Sequence, residues 1–135
     1  MSDHPDRQLT AKQTLLLILL PLLITCAGIR LYLHLVRVQH IYPGGYLIHH
    51  LFTGVLLLIP AAFLLAFGIR RQWLAISTRV AVGIGSALVL DEITYLVMTK
   101  ATDQDYVSKI SLFGAIAFIS AAVTLLWIFY RSRCE

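Results

Sequence analysis

The stretch GIGSALVLDEITYL, residues 83–96, places two adjacent carboxylates inside a long apolar run. The run around it covers about residues 76–99, and three others of similar length cover about 14–35, 46–67 and 107–130. In a helix that rises about 1.5 Å per residue, about 20 apolar residues cross a hydrocarbon core of about 30 Å. The sequence therefore predicts an all-α fold, in which a single domain over residues 1–135 forms a bundle of four transmembrane helices.

The composition also indicates an integral membrane protein. Of 135 residues, 59% are hydrophobic and only 13% are charged, and the mean hydropathy is +0.80. The four spans use nearly the whole chain, so any functional site has to lie within the bundle or its short loops. The net charge of +4 is carried by residues that flank the spans, which indicates contact with membrane lipids and gives no support for nucleic-acid binding.

The distribution of lysine and arginine predicts the orientation. Seven of the eleven basic residues lie on one side of the predicted bundle: Arg7, Lys12, Arg70, Arg71, Arg79, Arg131 and Arg133. Loops rich in Lys and Arg stay on the cytoplasmic side of a membrane. We therefore expect both termini to be cytoplasmic, in a multi-pass protein of the cell (inner) membrane.

Seven of the remaining ionisable residues share one depth. Asp91 and Glu92 lie about 10 Å inside the end of the third span, at 1.5 Å per residue. The others are at the facing ends of their spans: Arg30, His34, His49, His50 and Lys109. Charged residues inside a membrane usually face a cavity and carry function, because each costs about 3 kcal/mol at the bilayer centre. The sequence thus predicts a polar pocket in the outer half of the bilayer.

Helical periodicity predicts which of these residues face inward. Asp91, Glu92 and Tyr95 share one sector of the third helix, and His49 and His50 lie on a polar sector of the second. The polar faces of three helices can therefore look into one interior. A surface of small residues on the third helix is expected to permit close approach of a neighbouring helix, and it consists of Gly83, Gly85, Ser86 and Ala87.

One interpretation of this cluster is a metal site. Imidazoles and carboxylates suit Zn²⁺, Fe²⁺ or Mn²⁺, and the ligands would be His49, His50, Asp91 and Glu92. Adjacent residues on a helix point about 100° apart, so the two histidines would more easily bind two different metal ions. Alternatively, one histidine would bind the metal and the other would contact the residues around it. Such a site would act on a lipid or another membrane-soluble substrate, with acid–base catalysis by Asp91, Glu92 or Tyr95.

Two other interpretations need no metal. In one, Arg30, His34 and Lys109 neutralise the acids and fix the register of the helices, as in a structural or assembly subunit that forms homo-oligomers or joins a partner membrane subunit. In the other, a buried acid near histidine carries protons in a small proton-coupled transporter. The sequence leaves all three interpretations open.

The segments YLIHHLFTGVLLL (residues 46–58) and GIGSALVLDEITYL (residues 83–96) resemble a group of small prokaryotic integral membrane proteins. These proteins carry a His-His doublet followed by glycine on one helix, and a glycine-rich run ending in Leu-Asp-Glu on the next. The matching positions are His49, His50, Gly54, Gly83, Gly85, Leu90, Asp91 and Glu92. The resemblance covers less than half of the chain. It implies a four-helix membrane bundle with its site on the two central helices, and it implies no particular reaction.

Overall fold

A computed structural model of the chain describes residues 9–35, 50–99 and 108–133. These residues form four helices, α1 (Ala11–Leu35), α2 (His50–Phe67), α3 (Gln72–Met98) and α4 (Lys109–Ser132). All four are long and apolar enough to cross a membrane, and the described ranges contain no strand. The prediction of an all-α fold with four helices of membrane-spanning length and hydropathy is confirmed for the described residues.

The helices α1 and α3 begin before the predicted spans. The helix α1 begins at Ala11, because Thr10 and Gln13 form a reciprocal cap: the Thr10 N–H donates to Gln13 Oε1 (2.9 Å) and the Gln13 N–H donates to Thr10 Oγ1 (3.2 Å). The helix α3 begins at Gln72, directly after a short turn through Gly68, whose φ of 79° lies in the left-handed region that glycine tolerates. A helix can thus continue past the apolar run that anchors it. The predicted start of the second span, residues 46–49, lies outside the described residues.

The helix α3 is the centre of the bundle. It packs against each of the other three helices, whereas α1 and α4 contact each other less extensively. Most of the buried side chains belong to it: Ala75, Thr78, Ala87, Asp91, Glu92 and Tyr95. The two carboxylates are therefore on the helix that is surrounded by the other three, where side chains of neighbouring helices can donate hydrogen bonds to them.

Glycines set how closely the other helices approach α3. A Cβ added at Gly54 of α2 would lie 2.7 Å from the Gly85 carbonyl oxygen, and one added at Gly85 would lie 2.9 Å from the Gly54 carbonyl oxygen. A Cβ at Gly83 would overlap the carbonyl oxygen of Ile18 in α1. Since Gly83 and Gly85 are about 200° apart on the helix, α1 and α2 lie on different sides of α3. The predicted close approach at the small residues is confirmed.

The antiparallel helices give the bundle two chemically different ends. We call the end that holds Arg30, His50, Asp91, Glu92 and Ser111 the acidic end, and the end that holds Thr14, Arg79, Tyr130 and Arg133 the basic end. Large apolar side chains such as Leu56, Phe67 and Val97 are exposed on the outside, as expected of surfaces that face lipid. The first and last described residues both lie at the basic end, and its cytoplasmic orientation stays a prediction.

Candidate functional site

The guanidinium of Arg30 joins three helices at the acidic end. Its Nε donates to Asp91 Oδ1 of α3 at 2.5 Å, and its Nη2 donates to the Asp91 carbonyl oxygen at 3.2 Å. The same Nη2 lies 3.2 Å from Oγ and 3.3 Å from the carbonyl oxygen of Ser111 in α4. Asp91 is fully buried, and the Arg30 side chain is only 16% exposed. The predicted partnership between Arg30 and the acids thus exists for Asp91.

Ser111 is a member of this site that the sequence analysis missed. It is buried in the first turns of α4, where the N-cap Ser108 accepts a hydrogen bond from its backbone N–H at 3.3 Å. Lys109, the residue predicted from this helix, is exposed. The two positions are about 200° apart on the helix, so only one of them can face α3. Ser111 could have been predicted from its position on the helix. It is a small polar residue four residues before Ala115, so both lie on the same face of α4, and both are buried.

The second acid contacts a different helix. Glu92 Oε2 accepts a hydrogen bond from the backbone N–H of Leu51 in the first turn of α2 at 2.6 Å. The same oxygen lies 3.7 Å from Nε2 of His50. Glu92 therefore satisfies one of the backbone donors that a helix N-terminus leaves without an intrahelical partner, and its negative charge complements the positive end of the helix dipole.

Burial differs sharply between the members of the Glu92 pair. The side chain of Glu92 is 1% exposed, whereas that of His50 is 32% exposed. The histidine thus covers a buried carboxylate and keeps its own ring partly accessible from outside the bundle.

The adjacent acids serve separate contacts because they diverge. Consecutive residues point about 100° apart on a helix, so Asp91 faces Arg30 of α1 while Glu92 faces His50 and Leu51 of α2. The sequence analysis expected the polar faces of three helices to share one interior. The structure instead distributes them around α3, because α1 and α2 lie on different sides of it.

The remaining predicted residues have varied positions. Tyr95 is buried one turn beyond Asp91, and its carbonyl oxygen accepts a hydrogen bond from Thr99 Oγ1 at 2.6 Å. His34 is exposed near the end of α1 and does not join either acid among the described contacts. His49 lies outside the described residues. The described site thus consists of the two acids with Arg30, His50, Leu51 and Ser111, and Tyr95 is buried beside it.

Comparison with known proteins identifies no relative, so the interpretation of the site rests on its geometry. No family model, curated protein or solved structure matches the chain. The resemblance of residues 46–58 and 83–96 to small prokaryotic membrane proteins therefore stays a prediction.

The predicted metal ligands are not assembled in the described part of the chain. Across residues 9–35, 50–99 and 108–133, no three side chains of His, Cys, Asp or Glu are grouped so that they could hold a metal ion. His50 and Glu92 are close, but Asp91 is directed to Arg30. The predicted Zn²⁺, Fe²⁺ or Mn²⁺ site has no support in this geometry, and the contribution of His49 to it stays a prediction.

Proposed function

We propose that this chain is a structural or assembly subunit of the membrane, in which Asp91 and Glu92 lock four helices in one register. The single observation that carries this proposal is the position of Arg30, whose guanidinium contacts α3 and α4 while it belongs to α1. Glu92 adds the fourth helix through Leu51 and His50. Asp91 and Glu92 thus connect α3 to α1 and α2, and Arg30 extends the connection to α4, so that the network includes all four helices. Such a network supports control of helix register.

The energetics of buried ion pairs support a role in specificity. A charge in the membrane interior costs several kcal/mol, and a nearby opposite charge with good hydrogen bonds offsets this cost without a large net gain. The main effect of such a pair is to raise the free-energy cost of any arrangement in which the helices are shifted relative to one another. Sliding α1 along α3 by one residue would move Arg30 about 1.5 Å along the axis and break its bonds to Asp91 and Ser111 together.

The proposal is tested by removing the charges singly and together. We expect Arg30→Met and Asp91→Leu each to lose about 3–5 kcal/mol of unfolding free energy in mixed detergent micelles, since each leaves a buried charge without its partner. The double variant Arg30→Met/Asp91→Leu should recover most of this loss, because neither member of the pair is left behind as a buried charge that has lost the other. Arg70→Met, at an exposed arginine outside the site, is the matched control and should change little.

Complementation of cells that lack the protein then separates a structural role from a chemical one. A structural role predicts that the stable double variant restores the cellular phenotype as well as the wild type does. If the double variant is folded and present at normal amounts but inactive, Arg30 and Asp91 act directly in chemistry or transport, and the proposal is wrong.

A second candidate function, proton-coupled transport, is favoured by one observation. His50 is partly exposed and lies 3.7 Å from a carboxylate that is 1% exposed. Since histidine side chains serve as proton shuttles in proteins, this pair offers a step by which a proton from outside the bundle reaches Glu92. The Asp91 contacts need not change during that step.

Proton coupling has its own measurement. Purified protein in liposomes that contain a pH-sensitive dye should dissipate an imposed pH gradient faster than empty liposomes do. The acceleration should disappear in Glu92→Gln and persist in Ser111→Ala, which alters the neighbouring contact and retains Glu92. Equal rates with the wild type and Glu92→Gln would eliminate this candidate.

The predicted metal-dependent enzyme is tested by metal analysis of the detergent-purified protein. The structural proposal expects no stoichiometric Zn, Fe or Mn. One equivalent of metal in the wild type that disappears in His50→Ala and Glu92→Ala would favour the enzyme and contradict the structural proposal.

A further inference from the structure

A large cavity lies at the basic end, far from the acids. It has a volume of about 600 Å³ and is lined by the first turns of α1, by Arg79 of α3, by the last turns of α4 with Tyr130, and by Arg133, which directly follows α4. Neither Asp91 nor Glu92 lines it. The cavity therefore combines two guanidiniums from different parts of the chain with the hydroxyl-bearing residues Thr14 and Tyr130.

Arg79 is held in this cavity by the protein itself. Its Nη1 donates to the carbonyl oxygen of Ala75 at 2.8 Å, and its Nε donates to Thr14 Oγ1 at 3.3 Å. Both partners are neutral. The carboxylates in the described ranges are Asp91 and Glu92, and twelve residues along α3 place Asp91 about 18 Å from Arg79. The described lining thus carries positive charge from Arg79 and Arg133 with no carboxylate among it.

A second cavity continues the first toward the middle of the bundle. Its volume is about 300 Å³, and apart from Ser86 its lining is apolar, including Leu22, Leu58, Val89 and Leu125. The two cavities share three lining residues: Ile18, Leu126 and Phe129. Because they share these residues, the two cavities adjoin and together give a groove over α3 between α1 and α4, with Leu58 of α2 also in its lining. The groove is basic at its mouth and apolar along its length.

The dimensions of this groove match one leaflet of a bilayer. From Arg79 to Val89 the helix α3 advances ten residues, or about 15 Å, which is half of a hydrocarbon core of about 30 Å. A guanidinium binds phosphate through paired N–H donors, and basic pockets between transmembrane helices are a recurrent form of phospholipid site. A free phosphate would use only the mouth of the groove, and an uncharged lipid would leave its arginines without an anion.

We propose that this groove binds one anionic phospholipid, with its phosphate at Arg79 and Arg133 and an acyl chain along the apolar lining between α1 and α4. This site is separate from the acidic end and does not depend on the function proposed there. If the basic end is cytoplasmic, as its charge predicts, the groove opens to the leaflet in which anionic lipids are enriched.

The test is native mass spectrometry of the full chain, released from micelles that contain phosphatidylglycerol and phosphatidylcholine in equal amounts. We expect one phosphatidylglycerol to be retained in preference to phosphatidylcholine. Arg133→Gln, at an exposed position, should weaken the apparent affinity for phosphatidylglycerol about fivefold, as expected for one basic residue at an anionic headgroup. Arg79→Gln should do the same, and Arg70→Gln, whose site is outside the groove, should not.

The apolar half of the groove has a matched pair of variants. Ala122→Phe fills the groove and should prevent retention of the lipid, whereas Ala121→Phe, at the exposed neighbouring position, should not. Equal retention of phosphatidylcholine, or unchanged retention in both Arg133→Gln and Ala122→Phe, would overturn the proposal. So would inorganic phosphate alone if it raised the Tm as much as phosphatidylglycerol does, because the ligand would then be a free anion.

Discussion

Asp91 and Glu92 are consecutive residues that bind different helices. The Arg30 guanidinium donates hydrogen bonds to Asp91 and also to Ser111. Glu92 accepts a hydrogen bond from the backbone N–H of Leu51. Each carboxylate is thus bound by a group whose donors have a fixed direction. At the scale of single residues, the site depends on hydrogen-bond geometry as much as on charge.

Replacement of Arg30 by lysine tests this geometry. Arg30→Lys keeps the positive charge, but a single ammonium cannot reproduce the planar fork that contacts Asp91 and Ser111 together. We expect it to lower the unfolding free energy by about 1–3 kcal/mol, the range for lost hydrogen bonds to a charged group. Urea unfolding in mixed micelles measures this, with the exposed Arg70→Lys as control. Equal stabilities of the wild type and Arg30→Lys would show that charge alone is sufficient.

Glu92 offers a comparable test of its bond to the backbone. Glu92→Gln retains an oxygen that can accept from the Leu51 N–H, whereas Glu92→Leu does not. The leucine variant should therefore be less stable than the glutamine variant by about 1–3 kcal/mol, the cost of leaving a buried donor without an acceptor. If glutamine is as destabilising as leucine, the contact with His50 contributes more than the bond to Leu51.

At the scale of elements, α2 depends on glycine contacts with α3. The carbonyl oxygens of Gly54 and Gly85 each occupy the space that a Cβ on the other would need. Neighbouring helices approach this closely only where both residues are small. The same contact brings the first turn of α2 within reach of Glu92, which lies about two turns beyond Gly85 on nearly the same face of α3.

Alanine substitutions measure this packing. Gly54→Ala or Gly85→Ala should lower the unfolding free energy by about 1–3 kcal/mol, because the helices must separate to admit a methyl group. Gly28→Ala is the matched control: this helical glycine has no neighbouring atom within 4 Å of an added Cβ, so the change should be neutral or stabilise by up to about 1 kcal/mol. A neutral Gly85→Ala would contradict the close contact.

At the scale of the whole molecule, the ends of the bundle have different chemistry. The acidic end contains the contacts that connect all four helices, and the basic end contains the groove with Arg79 and Arg133. The described ends of α1 and α4 lie together at the basic end. A membrane protein built in this way has to present the beginning of α1 and the end of α4 to the same side of the bilayer.

Cysteine labelling tests that topology and its predicted direction. In a variant with Cys26→Ser and Cys134→Ser, single cysteines at the exposed positions Lys12 and Ser132 should react with a membrane-impermeant reagent only after the cells are permeabilised. A cysteine at Lys109, exposed at the acidic end, should react in intact cells. The reverse pattern would invert the predicted orientation, and labelling of Lys12 and Ser132 from opposite sides would contradict the fold.

The amino-acid sequence predicts the class of the protein and the depth of its polar residues. Four apolar runs of membrane-spanning length require helices, because only internal hydrogen bonds can satisfy the backbone in lipid. The small residues Gly83 and Gly85 indicated close helix contacts, and the depth of Arg30 and His50 brought them level with the acids. These inferences follow from length and helical period, which are local properties of the chain.

Which side chains contact each other depends on how the helices pack. Helical phase places Asp91 and Glu92 about 100° apart, but it does not say which neighbour lies on each side of α3. The packing of the helices decides this: Asp91 contacts Arg30 of α1, and Glu92 contacts the first turn of α2. From α4 it is Ser111, and not the predicted Lys109, that contacts Arg30. The groove at the basic end likewise lies where α1 and α4 contact each other less than each contacts α3, and a gap between helices is a property of their arrangement.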